Sequence, residues 1–378
     1  MDLSYSDEEE AFRSTVRKWI AEHAPKREDL RDLDAARAWQ RTLHAAGFLG
    51  VGWPAEYGGA KLSKIQQAIL NEELARANAP GVVNAMAIWW VGPAIIKYGT
   101  DEQKRRFLPR ILNAEEIWAT GYSEPGSGSD MAAAKTRAER HGDDYVVSGQ
   151  KVWTTIAHLS DWFFVLVRTS PEGKKWAGLS LLLMDLKSPG VEIRPIRQIT
   201  GDSEFNEVFM NEVRVPVTNR LGAEGQGWEI VTSALINERT GIAGSIRTEQ
   251  VLERLIGLAR ERGLTADPIW RQRLSDLAIR AQITKASGLR AMSDDLQGRM
   301  NPHLSAGMKL LSTELTQRFS EAGVDLLGLD GMLWDDDAPG AGKWAYQFLY
   351  DRSMTIAGGT SEVQRNIVAQ RVLGLPRS

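Results

Sequence analysis

The period of the apolar residues changes twice along the 378-residue chain. Up to residue 117, and again from residue 225, apolar residues recur at the three- and four-residue spacing of amphipathic helices. Between these regions they form short runs separated by turn residues, such as WFFVLVR at 162–168. Such runs are typical of strands in a mainly antiparallel sheet or barrel. Since no long helical pattern separates the runs, repeated βαβ units are not expected.

These patterns predict a mainly α chain with a central β domain. The predicted divisions are an N-terminal helical domain at 1–117, a middle β domain at 118–222 and a C-terminal helical domain at 223–378. Ser6 is followed by three glutamates, which predicts the capped start of the first helix. Other helices are predicted at residues 35–46, 63–78, 101–112, 227–262, 268–297 and 304–328.

Charge and composition exclude several classes of function. The formal net charge is −3 and both signs are mixed along the chain, so we expect neither nucleic acid nor an anionic membrane surface as a partner. The chain has no cysteine, which excludes disulfides, thiolate nucleophiles and iron–sulfur clusters. Any redox chemistry must therefore use an organic cofactor. No secretory signal and no membrane-spanning run is readable, so we expect a cytoplasmic protein.

Common catalytic and binding motifs are absent from the sequence. There is no GxxxxGK[ST], no HExxH and no GxSxG, and the five histidines are scattered. GAEGQG at 222–227 has the wrong glycine spacing for a dinucleotide fingerprint. We therefore predict neither a metal site nor a P-loop.

Two motifs in the central region are more informative. TGYSEPGSGSD at 120–130 contains three glycines and a proline, so it cannot form a regular strand or helix interior. It presents backbone N–H groups and hydroxyls, as a planar polar ligand needs. Taken alone, such a segment is more often an ordinary turn. About two dozen residues later the chain reads KVWTT, at 151–155.

Together, in this order and at this spacing, the two motifs resemble the signature of the FAD-dependent acyl-CoA dehydrogenases. The resemblance covers essentially the whole chain, and it implies a middle β-barrel or sheet domain and a C-terminal four-helix bundle. It also implies that the hydroxyl of Ser123 bonds the pyrimidine edge of the flavin, with Tyr122 as a further cofactor contact. Thr155 would bond near flavin N5 and Trp153 would shield the isoalloxazine. Ser129 would approach both the cofactor and the thioester.

A third motif, AGGTSEVQRN, lies near the C-terminus. Its paired glycines permit close backbone approach, and Thr360 or Ser361 can cap a helix that begins near Glu362. Free N–H groups at a helix start suit polar or anionic parts of a cofactor. The resemblance implies FAD contacts for Thr360, Ser361 and Glu362. It also implies that the N–H of Gly358, with a flavin ribityl hydroxyl, polarises the thioester carbonyl.

The family's reaction removes an α-proton while hydride leaves the β-carbon for flavin N5, so it needs a desolvated carboxylate. Many members place this glutamate directly before GTS, where this chain has Gly358. A second location in the family is a glutamate–arginine pair on the helix after the β domain, and Glu238-Arg239 matches it. Glu238 also interrupts an apolar stripe at helical spacing. The stripe consists of Val231, Leu235, Ile242 and Ile246.

We therefore predict Glu238 as the catalytic base, with Arg239 orienting its carboxylate or touching the substrate. The alternative is a structural glutamate that is paired with an arginine in the core.

Two other motifs of the homomeric members are missing. In those members R-x-x-F-G and Q-x-x-G-G reach the FAD of a neighbouring subunit. Here the corresponding segments read ARERGLTADPIWRQR and DLLGLDG, with Leu329 in place of the second glycine. Arg260 or Arg262 could substitute, but neither has the expected context. The chain thus resembles the glutamate-bearing subunit of the actinobacterial heteromeric, steroid side-chain type dehydrogenases.

That resemblance implies an acyl-CoA substrate and an electron-transfer flavoprotein as the electron acceptor. It also implies a dimer or tetramer, with the hypothesis of an α2β2 assembly that includes a base-less paralogous subunit. Three alternatives remain: an acyl-CoA oxidase, a dehydrogenase of carrier-protein thioesters, and a non-catalytic subunit of a heteromer. The sequence does not define the length, branching or ring content of the acyl group.

Overall fold

A computed structural model describes residues 5–30, 32–237, 243–299, 301–334 and 337–376. The chain divides into two compact units. The sheet unit contains Lys18–Gln67 and Ala79–Glu238, and the bundle unit contains Met1–Arg17, Ala68–Asn78 and Arg239–Ser378. The three domain boundaries predicted from the sequence stay a prediction, and the two units are described separately below.

The first part of the chain is helical, as predicted. Its α-helices are α1 (Asp7–His23), α2 (Leu33–Ala45), α3 (Lys64–Arg76), α4 (Gly92–Tyr98) and α5 (Asp101–Leu112). The predicted cap of α1 is confirmed, because the Ser6 hydroxyl accepts from Glu9 N at 3.3 Å while Glu9 Oε2 accepts from Ser6 N at 2.7 Å. A π-helical turn, Ala87–Val91, precedes α4 and was not predicted.

An eight-stranded sheet forms the middle of the described chain. Its strands are β1 (Trp118–Gly121), β2 (Arg137–His141), β3 (Asp144–Thr155), β4 (Trp162–Arg168), β5 (Leu179–Asp185), β6 (Val191–Pro195), β7 (Phe205–Pro216) and β8 (Arg220–Leu221). The strand order is β6-β7-β3-β2-β4-β5-β8, and β1 pairs with β4. Most pairs are antiparallel, while β1–β4 and the short contact β2–β4 are parallel.

The strands bury one face because their apolar residues alternate with polar ones. β3 contributes Tyr145 and Val147 to this core, and β4 contributes Phe163, Val165 and Val167. β5 is buried along almost its entire length, since α6 (Gly227–Asn237) packs against its other side. The sheet therefore provides a rigid scaffold for the loops at its ends.

The C-terminal segment of the bundle unit contains α7 (Ala243–Glu261), α8 (Pro268–Leu296), α9 (Leu304–Leu327), α10 (Lys343–Tyr350) and α11 (Ser361–Ile367). Leu255, Leu277 and Phe319 belong to its core, one each from α7, α8 and α9. Asp267 caps α8 by accepting from Ile269 N and Trp270 N. The predicted fold class, helical regions around a central β region, is confirmed. Among the described helices, none is long and apolar enough to cross a membrane.

Candidate active site

The first motif begins on β1 and leaves the sheet at Gly121. A Cβ at this position would lie 2.1 Å from Cζ of Phe163, which is fully buried on the neighbouring strand β4. Glycine is therefore required here by packing, since aromatic core atoms cannot withdraw cheaply. This contact fixes the point at which the motif loop, residues 122–136, begins.

A tight turn follows within the motif loop. Glu124 and Ser127 exchange backbone hydrogen bonds of 3.0 and 2.9 Å, and Ser127 Oγ donates to the Asp130 carbonyl at 2.8 Å. A Cβ added to Gly126 or Gly128 would meet no described heavy atom within 4 Å. Ser129 is exposed. The turn is thus ordered by its own bonds, yet its glycine edge faces open space.

The carboxylate of Glu124 closes the motif loop. It accepts hydrogen bonds from Lys135 N at 2.7 Å, from Thr136 N at 2.8 Å and from Lys151 Nζ at 2.9 Å. Lys151 also donates to the Tyr122 carbonyl at 3.2 Å. Since the Lys151 side chain is fully buried, this is an ion pair inside the sheet unit.

The pKa values of the pair reflect burial and mutual attraction. Burial lowers the pKa of Lys151 to about 8, although Glu124 opposes this shift. Burial alone would raise the pKa of Glu124, but Lys151 and the hydrogen bonds outweigh it and the pKa is lowered. Both groups are therefore charged at neutral pH.

Sequence reasoning missed this pair, although a signal was present. In the first half of β3 the odd-numbered residues Tyr145 and Val147 point into the core, and Lys151 continues the same parity. A lysine on the inward face of a strand needs a buried anion. Glu124 is the acidic residue of the first motif that supplies it.

Beyond Lys151 the strand β3 is irregular. Lys151 pairs with Val208 and Thr154 with Asn206, so one extra residue is inserted in β3. Trp153 has φ 60° and Ile156 has φ 51°, which is the left-handed region that side-chain-bearing residues rarely adopt. The predicted cofactor contact Thr155 lies between these two strained residues.

The structure brings the first two motifs together. Val152 N donates to the Ser123 carbonyl at 3.0 Å, so the start of the motif loop lies against the bulge of β3. The indole of Trp153 is 59% exposed and meets Phe205 edge to face at 6.2 Å between ring centroids. Ser123 and Thr155 are half-buried hydroxyls. An exposed aromatic ring, nearby hydroxyls and an open glycine edge suit a planar ring with a polar rim, so these residues fit a flavin.

The third motif lies in the bundle unit. Gly358 and Gly359 have φ 66° and 97°, and Thr360 caps α11 by accepting from Val363 N at 3.3 Å. Of the two candidates for this cap, Thr360 is the one observed. Ser361 is buried and Glu362 is exposed. Hydrogen bonding at the helix start lowers the pKa of the Glu362 carboxyl.

The glycine turn is held by two side chains that were not predicted. Buried Gln364 donates from Nε2 to the carbonyls of Gly358 at 2.9 Å and Gly359 at 3.2 Å. Lys309 Nζ, from α9, donates to the Gly359 carbonyl at 2.9 Å. These bonds fix the backbone that carries the predicted Gly358 N–H.

The predicted base Glu238 and its neighbour Arg239 lie outside the described residues. The described part of α6 ends at Asn237, directly before them. Of the apolar stripe around Glu238, Val231 and Ile246 are buried. The roles of Glu238 and Arg239 stay a prediction.

Glu204 is a further acidic group beside the bulge of β3, since its carbonyl accepts from Ile156 N at 2.8 Å. Burial, reinforced by Asp202, raises the pKa of the Glu204 carboxyl. Ionisation therefore costs the folded state free energy. The folded state therefore binds the proton of the Glu204 carboxyl more tightly than the unfolded state does. This preference contributes stability that is fully present below the unfolded-state pKa and is lost as the pH rises through the folded-state pKa.

Glu204→Gln is accordingly expected to stabilise the protein at pH 7, by less than ~1 kcal/mol because the group is only half buried. The gain should vanish near pH 4, where the wild-type carboxyl is protonated. Urea unfolding at both pH values measures this, with exposed Glu212→Gln as the control. A gain of equal size at both pH values would contradict the assignment.

Within the described ranges, no group of three or more His, Asp or Glu side chains is placed to hold a metal ion.

Comparison with known proteins defines the family. Three models match the chain: "Acyl-CoA dehydrogenase, N-terminal domain" at 6–115, "middle domain" at 119–213 and "C-terminal domain" at 225–373. "Acyl-CoA dehydrogenase IpdE1" of Mycobacterium tuberculosis is 42% identical, over 97% of this chain and 98% of the relative.

Two similar solved structures agree with this family assignment. The "ChsE4-ChsE5 complex from Mycobacterium tuberculosis" contains a chain that is 34% identical, with full coverage of both chains and a TM-score of 0.87. The "Tcur3481-Tcur3483 steroid ACAD" contains one that is 30% identical, again with full coverage, at a TM-score of 0.89.

The three matches together span almost the whole chain, and they place the protein among the flavin-dependent oxidoreductases. The chain belongs to the acyl-CoA dehydrogenase family. The enzyme class predicted from the motifs is confirmed, and a flavin is its cofactor.

Proposed function

We propose that this chain catalyses the FAD-dependent α,β-dehydrogenation of an acyl-CoA thioester to the trans-2-enoyl-CoA, with Glu238 removing the α-proton. When bound, FAD supplies the acceptor for the hydride that leaves the β-carbon. The observation that carries the proposal is the bond from Val152 N to the Ser123 carbonyl. It holds a hydroxyl-bearing loop against the strand that exposes Trp153.

Each predicted site residue has a proposed task. Glu238 holds the abstracted proton, and Arg239 keeps its carboxylate oriented. The N–H of Gly358 donates to the thioester carbonyl, where negative charge develops. The residues proposed to hold FAD are Tyr122, Ser123, Ser129, Trp153, Thr155, Thr360, Ser361 and Glu362, and Ser129 also lies along the thioester arm.

The proposed substrate class is a bulky, polycyclic acyl-CoA of the steroid side-chain type. A related solved structure carries the description "steroid ACAD". The proposed electron acceptor is an electron-transfer flavoprotein, and the proposed compartment is the cytoplasm.

The proposed assembly is α2β2, with a base-less paralogous chain. Two similar solved structures, Tcur3481-Tcur3483 and ChsE4-ChsE5, are each named for two different proteins. Arg262, one candidate for the missing cross-subunit arginine, donates from Nη2 to Asp330 Oδ2 of its own chain at 2.8 Å. Leu329, in the position of the missing glycine, is 86% exposed. Both features suit a chain that receives cofactor contacts from a different partner.

The test is to purify the chain alone and co-expressed with the product of a neighbouring paralogous gene. We expect full FAD content and anaerobic bleaching by steroid side-chain acyl-CoA only in the co-expressed assembly. Short and long straight-chain acyl-CoAs should bleach the flavin more slowly. An active, FAD-saturated homo-oligomer would contradict the assembly, and a flavin that no acyl-CoA reduces would contradict the function. Peroxide production on re-aeration would indicate an oxidase.

A further inference from the structure

The ion pair between Lys151 and Glu124 does more than fill the sheet interior. A buried ammonium needs charged and hydrogen-bonding partners, and here they come from two segments of the chain. Lys151 Nζ donates to the Glu124 carboxylate and to the Tyr122 carbonyl. Lys151 is thereby bonded to both ends of the Tyr122–Glu124 segment, which contains Ser123.

Glu124 extends the connection to the far end of the motif loop. Its two oxygens accept from the N–H groups of Lys135 and Thr136, which lead into β2. The Glu124 carboxylate thus connects the start of the motif loop after β1, the end of the loop before β2 and the interior of β3. If it is removed, three donors inside the sheet unit lose their acceptor.

On β3 the pair lies immediately before the strained segment. The insertion in the strand falls between Lys151 and Thr154, and the left-handed residues are Trp153 and Ile156. A left-handed conformation at a residue with a bulky side chain persists only where several surrounding contacts hold it in place. Lys151 anchors the segment at one end, and pairing of Thr155 with Phe205 anchors it at the other.

We propose that Lys151 and Glu124 are a positioning pair for the flavin site: they set the place of Trp153 and Thr155 relative to Ser123. The inference rests on the proposed function, since it assumes that these residues contact FAD. Both charged groups are buried inside the sheet unit, so they act on the site through the backbone of residues 122–124 and 151–155. Loss of the pair is therefore expected to impair flavin binding and reduction beyond what an equal loss of fold stability elsewhere in the unit produces.

The test is the double variant Glu124→Gln/Lys151→Met, in the full chain co-purified with its partner subunit. Methionine retains most of the apolar stem of lysine, and removal of both charges together leaves no unpaired buried ion. The amide that replaces the carboxylate has one acceptor oxygen for the backbone N–H groups of Lys135 and Thr136, so one of them loses its partner and the thermal midpoint should fall by several degrees. The dissociation constant for FAD should rise about tenfold, as when an ordinary hydrogen bond is lost. Flavin reduction by acyl-CoA should slow by about 10²-fold, the loss that ~1 Å of misplacement produces.

Glu124→Asp provides a second variant that keeps both charges. Its shorter side chain cannot reach Lys151 and both backbone N–H groups together, so a smaller loss in the same direction is expected. This variant decides the matter if the double variant does not fold. Wild-type FAD affinity and wild-type reduction rate in whichever of the two variants folds would overturn the proposal.

Glu116→Gln is the matched control in the same unit. Glu116 is a largely buried carboxylate that Arg106 contacts at 2.6 and 3.0 Å, outside both motifs. This variant should lose thermal stability but retain FAD affinity and reduction rate. An equal loss of FAD affinity in Glu116→Gln would show a general effect of instability and overturn the proposal. If the wild-type flavin itself resists reduction by every acyl-CoA, the proposed function fails, whereas FAD affinity still tests the positioning pair.

Discussion

Glu238→Gln is expected to retain its flavin but to lose flavin reduction by acyl-CoA by ~10²–10⁴-fold, the usual contribution of a general base. The amide keeps the size of the side chain and removes its capacity to accept the α-proton. Anaerobic stopped-flow measurement of flavin bleaching separates this step from acyl-CoA binding. A near-normal rate of bleaching would remove Glu238 from the mechanism.

Glu229→Gln is the control on α6, the helix whose described part ends directly before Glu238. Glu229 accepts from the hydroxyl of Tyr98 at 3.0 Å and from Gln226 Nε2 at 3.1 Å, two turns before the described end of α6. It therefore has a local structural role, and its substitution should leave the reduction rate unchanged. An equal loss in both variants would mean that the helix, and not one carboxylate, had been disturbed.

Gly121→Ala is expected to lower the free energy of unfolding by ~1–3 kcal/mol or more, the usual cost of overpacking a core. The new Cβ would lie 2.1, 2.5 and 2.9 Å from three ring atoms of Phe163. Because that ring is fully buried, either the strand β1 or the core of the sheet must shift. Thermal or urea unfolding of the variant measures the loss.

The same motif contains its own controls. Gly126→Ala and Gly128→Ala place a Cβ in open space, so both should remain within ~0.5 kcal/mol of the wild type. The double variant Gly121→Ala/Phe163→Leu should recover part of the lost stability, because the two positions share one contact. Wild-type stability of Gly121→Ala would show that β1 does not lie against this ring.

Much of the fold was predictable because it follows from local periodicity. The Ser6 cap, the strand at 162–168 and the Thr360 cap depend on residues close in the sequence. The π-helical turn Ala87–Val91 was missed because its backbone bonds depend on tertiary packing. The left-handed conformations of Trp153 and Ile156 were missed for a similar reason: neither residue type favours them, and the surrounding structure imposes them.

The candidate site was predictable to the extent that its motifs are contiguous. The hydroxyls and the tryptophan were named from two short segments, and the structure places those segments side by side. The acidic and basic residues inside the same motifs, Glu124 and Lys151, received no role. Their pairing depends on the position of Lys151 on the inward face of β3. The sequence shows this position only if the alternation of inward and outward residues is counted along β3 as far as its bulge.

The way in which the motif loop is closed has a consequence for where this enzyme can work. Proteins often reduce the conformational freedom of a long surface loop with a covalent bridge, which an intracellular thiol pool can break. Here a chain without cysteine joins Glu124 to Lys135, Thr136 and Lys151 through one carboxylate. Such a closure is insensitive to the thiol–disulfide balance, so the loop keeps its shape in reducing and oxidising surroundings alike.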